Sequence, residues 1–188
     1  MNIESIIKPD ARIDDSVILD CFGFQYDNCE LFRKYVELLD VNVSSVGDIP
    51  FLPVRFFKTN KIYSSPRMPE TVFTSSGTGG MDVSKHCVAD AGIYKLSYTS
   101  GFRYFFGDIS GYAILALLPS YLERQGSSLI AMVQGLMEIS GNPLSGFFLN
   151  NHGELFETLQ VLKRDNVPAL LFGVSFALLD FLEKFRID

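Results

Sequence analysis

The chain has 188 residues, of which 47% are hydrophobic and 20% charged, a balance that suits one folded domain, or a core with a small attached lobe, and excludes a disordered chain. A formal net charge of −6 argues against a surface for nucleic acid, since phosphate backbones select clustered Lys and Arg. No apolar run approaches the roughly 20 residues that span a bilayer, the residues from Ala113 to Leu118 being among the longest, so no membrane span is expected.

The N-terminal residues mix Glu4, Lys8, Asp10, Arg12 and Asp14 among aliphatics and carry no signal-peptide pattern. Cys21, Cys29 and Cys87 are an odd number outside any disulfide-like framework and read as thiols. Together these point to a cytoplasmic protein. Residues 28–39 then predict an amphipathic helix, with Leu31, Phe32, Tyr35, Val36, Leu38 and Leu39 at helical spacing and irregular stretches around it. Pro50 and Pro53 forbid a continuous helix beyond it, and 58–70, with Pro66 and Pro69, reads as a connecting loop. The grammar changes near 60–70, so the expected organisation is an N-terminal helical and irregular lobe over 1–60 and an α/β phosphate-binding subdomain over 61–188.

From Thr71 onward the pattern is regular. A short strand over 71–74 leads into a Gly/Ser/Thr loop, a helix near 90–101 and an apolar run over 112–118. Next come a helix over 127–139, a strand over 146–149, a helix over 153–164, a strand over 169–172 and a helix over 176–185. Strands alternating with helices of this length imply crossovers, hence an α/β fold with a largely parallel sheet and helices on both faces. If the chain is part of a larger domain, the helix over 176–185, rich in Phe and Leu, has too little of its own chain to cover it, and a homodimer burying it is expected.

The loop Thr74, Ser75, Ser76, Gly77, Thr78, Gly79 and Gly80 carries the clearest chemistry. Its glycines let the backbone approach a ligand and lay successive N–H groups around an anion, its hydroxyls add donors, and Lys85 stands within reach of the same charge. It is neither a Walker A loop, since no Gly-Lys-Ser/Thr ends it, nor the Gly-x-Gly-x-x-Gly dinucleotide pattern. Three other features invite chemistry. His86 and Cys87 are neighbours, which an extended segment points to opposite faces; a zinc site from Cys21, Cys29, His86 and Cys87 has too wide a first spacing. Gly173-Val174-Ser175-Phe176-Ala177 imitates a nucleophile elbow, which would make the chain a serine esterase or acyltransferase, but both histidines, His86 and His152, precede it, and Ser175 reads better as a helix N-cap.

The stretch Phe73-Thr74-Ser75-Ser76-Gly77-Thr78-Gly79-Gly80, with Lys85, resembles the phosphate loop of the adenylate-forming superfamily, and within it the acyl-protein synthetases, the fatty-acid–protein ligases of bacterial bioluminescence. Leu117-Leu118-Pro119-Ser120-Tyr121-Leu122-Glu123-Arg124 and Ser127-Ser128-Leu129 are similar to that family's next strand and helix start, so that the resemblance runs over about 54–184. It implies an adenylate-forming N-domain, ATP with Mg as cofactors, a carboxylic (fatty) acid joined to AMP with release of pyrophosphate, and a thiol acceptor for the acyl group. It also implies phosphate contacts from Thr74 to Gly80 and Lys85, and Tyr121 on the acyl or nucleotide pocket. Gly79 stands where the family has a second Thr, and Lys85 sits about two positions late. The family's catalytic lysine and acceptor cysteine lie past Asp188, so no catalytic residue is assigned here and phosphate binding without turnover is expected of these residues. A non-catalytic binding domain that keeps the fold is the alternative.

Overall fold

The structure, a computed structural model, describes residues 7, 13–75, 83–118 and 126–186. It divides into two compact units, Met1–Ser100 and Gly101–Asp188.

The first unit opens with α1 (Asp15–Asn28), started by Asp14, whose carboxylate accepts from the Val17 amide and the Ser16 hydroxyl. The Ser16 bond, then that of Val17, holds the Asp14 carboxyl below its ordinary range. This helix is absent from the sequence reading because its apolar residues are spread around the axis and none is fully buried. Cys29 joins it to α2 (Glu30–Leu38), where the expected helix stands one to two residues shorter at each end. Cys29, Phe32 and Val36 line one stripe and form a small core with Phe22, Tyr26, Tyr35, Leu52 and Ile62 around it. Leu38, placed on the apolar face by spacing, is 86% exposed instead. A 3-10 turn, Val46–Asp48, is tied by the Asp48 carboxylate, which accepts from the amides and hydroxyls of Ser44 and Ser45. The short α3 (Phe56–Thr59) comes next, then β1 (Thr71–Thr74), β2 (Lys85–Val88) and the first ten residues of α4 (Ala91–Phe106), which runs past Ser100 into the second unit.

β1 does not enter a parallel sheet. It pairs antiparallel with β2, a strand the sequence reading passes over, in a two-stranded ladder. The reason is length: residues 75–84 are too few for the crossover of about a dozen or more residues that parallel neighbours need.

The second unit is the α/β part. Its sheet has three parallel strands in the order β4 (Gly146–Phe147), β3 (Ala113–Leu117), β5 (Ala169–Gly173), with α5 (Ser128–Ser140), α6 (His152–Arg164) and α7 (Ser175–Lys184) as crossovers and final helix. β3 lies between its two partners with all five residues fully buried, as its unbroken apolar run requires of a strand covered on both faces. Alternation sends Ala113, Leu115 and Leu117 to one face, where Leu155 and Leu162 of α6 and Ala177 and Phe181 of α7 meet them. α5 packs against β3 with Val133 and Leu136 buried, and its last turn is tied down by Ser140, whose hydroxyl donates to the Tyr112 carbonyl. Gly141 ends α5 at φ 63°, a left-handed cap that suits glycine.

The expected strand over 146–149 stops at Phe147, because Leu149 turns left-handed at φ 49° and leaves the ladder. α7 is half covered: Ala177 and Phe181 are buried, while Phe176, Leu179 and Leu182 are exposed. Among the described residues no helix is long and apolar enough to cross a membrane. This two-sided character of α7 predicts unequal costs along one helix. Phe181→Ala should destabilise the chain by about 3–5 kcal/mol and Leu179→Ala by less than about 1 kcal/mol, read as urea midpoints.

Candidate functional site

The β1–β2 hairpin builds the site. Its register pairs Thr71 with Val88, Val72 with Cys87, Phe73 with His86 and Thr74 with Lys85. Directly opposed side chains share a face about 4.5–5.5 Å apart at Cβ, so Thr74 and Lys85 stand side by side where the strands open into the loop. The opposite face carries aromatic contacts: the Phe73 ring lies 4.9 Å from that of Tyr94 on α4, and the His86 ring, though exposed, lies 6.2 Å from that of Phe57 on α3. With aromatics fixing one face, Thr74, Lys85, Val72 and Cys87 take the other, and Lys85 is exposed without a salt bridge to any described residue.

The mouth of the loop is clamped beyond the ladder. The Ser75 amide donates to the Ser84 carbonyl at 3.0 Å, and the Ser84 amide donates to Ser75 Oγ at 2.9 Å. Ser75 Oγ thus serves the fold as an acceptor and keeps its own proton to donate. Ser76, Gly77, Thr78, Gly79 and Gly80, and also Tyr121, lie outside the described residues.

The loop leaves the carboxyl end of β1, as expected, but of an antiparallel ladder and not of the parallel sheet. Its relation to a helix also differs from a strand–loop–helix phosphate site. β2 intervenes, and the first amide of α4 donates to the Glu70 carboxylate at 2.8 Å, at the end of the hairpin away from the loop. The helix start is therefore already partnered by an acid. An anion in the loop would depend on the loop's own amides and hydroxyls and on Lys85, not on a helix terminus.

The other candidates separate. His86 and Cys87 occupy adjacent positions of β2 and opposite faces, so they form no nucleophile and base pair. Cys21, Cys29 and Cys87 are thiols, and among the described residues no group of three or more His, Cys, Asp or Glu is placed to hold a metal ion. Ser175 is not an N-cap: Val174 holds that position, with no side-chain cap bond, and Ser175 is the first residue of α7. Nor does a histidine partner meet it among the described residues. His152 Nδ1 meets Lys184 Nζ at 3.4 Å and its ring stands edge-on to Phe181, and no described hydrogen bond joins it to Ser175. The glycine before this segment has a packing cause, since a Cβ on Gly173, the last residue of β5, would lie 2.6 Å from the Leu178 side chain.

Residues 6–93, which contain the hairpin, its loop and both N-terminal helices, match the sequence profile of the family described as "Acyl-protein synthetase, LuxE". The likeness is to acyl-protein synthetases. Over 73 residues the chain is 36% identical to the "Long-chain-fatty-acid--luciferin-component ligase" of Photorhabdus luminescens, a match that covers 37% of this chain and 63% of that protein. The profile match starts earlier than the resemblance read from motifs and leaves residues 117–129 outside it. No solved structure matches the chain.

Sequence reasoning missed Ser84 and the facing of Thr74 by Lys85, because both depend on β2. The clamp is testable: Ser75→Ala removes the acceptor for Ser84 and should cost about 0.5–1.5 kcal/mol, with faster hydrogen exchange at the Ser84 amide. Unchanged exchange there would mean that the bond does not form in solution.

Proposed function

We propose that this chain supplies the ATP-phosphate site of an adenylate-forming acyl-protein synthetase, an enzyme that activates a fatty acid as its acyl-adenylate and passes the acyl group to a thiol. The observation that carries the reading is the hairpin: it sets Lys85 opposite Thr74 at the mouth of the Ser/Thr/Gly loop, within the residues that match the acyl-protein synthetase profile. In that reaction the acid's carboxylate oxygen attacks the α-phosphorus, the bond to the bridging oxygen of the β-phosphate breaks, and pyrophosphate leaves. The acceptor thiolate then takes the acyl carbon and AMP departs. Positioning and charge stabilisation carry such a reaction, and these are what a clamped loop and an exposed ammonium can supply.

Each group has a stated part. Backbone amides of residues 75–80 and the hydroxyls of Thr74, Ser75, Ser76 and Thr78 donate to phosphate oxygens, with Gly77, Gly79 and Gly80 allowing the approach. Lys85 meets the charge that grows as pyrophosphate separates. Tyr121 lines the acyl or nucleotide pocket. Magnesium arrives with ATP, partly neutralising its phosphates, and no carboxylate of this chain is assigned to it.

A charge-assisted contact contributes about 1.5–3 kcal/mol, so Lys85→Ala should weaken ATP binding by about tenfold or more in calorimetric titrations with magnesium present, and Lys85→Arg should restore most of it. Undiminished ATP affinity in Lys85→Ala, with the fold intact by circular dichroism, would contradict the assignment.

A further inference from the structure

The first unit holds a concavity whose described lining residues all fall within 22–43, separate from the hairpin residues. Its volume is about 500 Å³, inside the range of about 300–1,000 Å³ usual for small-molecule sites. One wall is aromatic. Phe22 and Tyr26, one turn apart on α1, hold their rings 6.0 Å apart, and Val36 and Val43 extend the apolar surface. The charged groups among the lining residues are of one sign. Glu37 and Asp40 line the concavity, and the Tyr26 hydroxyl donates to Glu37 Oε1 at 3.2 Å, which turns that carboxylate toward the aromatic wall.

No Lys, Arg or His lines it among the described residues. Arg33, whose charge is felt at Tyr26, directs its guanidinium to the Asp27 carbonyl at 3.4 Å. The backbone adds to the same sign. α2 ends here without a basic residue in its last turn, so the negative end of the helix is not offset by its own side chains, and Asp40 turns left-handed at φ 51° just past that end. Partial desolvation first, then the bond to Glu37 and its charge, push the Tyr26 phenol above its ordinary value.

We infer that this concavity binds a primary alkylammonium ion, the alkyl stem against Phe22, Tyr26, Val36 and Val43 and the ammonium between the Glu37 and Asp40 carboxylates. Three effects favour that ligand together. Carboxylates and a helix C-terminus attract the cation, ring faces attract it at short range, and the stem removes apolar surface from water. A neutral alcohol of the same length keeps only the last, and a carboxylate of that length is repelled. The inference does not rest on the acyl-activation reading.

The test is a titration of the whole chain, isotope-labelled and followed by NMR, with n-hexylammonium and separately with n-hexanol. The result expected is movement of the Phe22, Tyr26, Val36 and Val43 signals, with the ammonium bound about tenfold more tightly than the alcohol. The difference should shrink as salt rises. Glu37→Gln should weaken the ammonium about fivefold or more and leave the alcohol unchanged. Asp40→Asn, at an exposed position, serves the same purpose if Glu37→Gln alters the fold. Equal affinity for ammonium and alcohol, signal changes outside 22–43, or indifference to both variants would overturn the inference.

Discussion

The candidate site depends on one constraint of chain length. Between Thr74 and Lys85 there are ten residues, 75–84, too few to cross a sheet and enough to turn back, so the strands pair antiparallel and the loop becomes a hairpin connection. The register then decides everything else at the site. Thr74 meets Lys85, Ser75 meets Ser84, and the period of two sends Phe73 and His86 to the face where their rings meet those of Tyr94 and Phe57. A slip of one residue would turn Lys85 to the aromatic side. The aromatic contacts therefore hold the ammonium's direction although none of them touches it.

The second unit obeys a different rule. Its centre is β3, five apolar residues with no polar side chain, and such a strand is stable only with helices on both faces. The faces are supplied by chain order: β4 lies on one side of β3 and β5 on the other, so successive connections move in opposite directions across the sheet. α6 and α7 share the face of Ala113, Leu115 and Leu117, with Phe181 fully buried against it. At the end of β5, Gly173 leaves room for the Leu178 side chain of α7, which would have to shift to admit a Cβ there.

Much of this was legible in the residues. The helices expected over 127–139, 153–164 and 176–185 stand at Ser128–Ser140, His152–Arg164 and Ser175–Lys184, because their apolar spacing and end residues agree. Within the run over 112–118, Ala113–Leu117 is a fully buried strand for the same reason. What escaped had a weak local signal. α1 distributes Val17, Ile18, Leu19, Phe22 and Phe24 around its axis and presents no clear stripe. β2 is four residues long and begins Lys85-His86-Cys87, with only Val88 as a β-branched mark. The mistake at Ser175 was one of position: a serine after a strand suits an N-cap, but the extended residue before the helix is Val174. At the candidate site the residue types were readable and their partners were not, since Lys85 gains its meaning from the cross-strand pairing alone.

The central claim is that the hairpin loop is where ATP phosphates bind and that Lys85 stands beside them. Manganese bound to ATP in place of magnesium broadens NMR signals of amides near the phosphates, so it maps the site without reference to turnover. The account predicts that an isotope-labelled chain titrated with manganese–ATP loses first the amide signals of residues 74–85, and regains them when excess magnesium–ATP competes. Broadening centred on the starts of α5 or α7, with residues 74–85 unaffected, would contradict it.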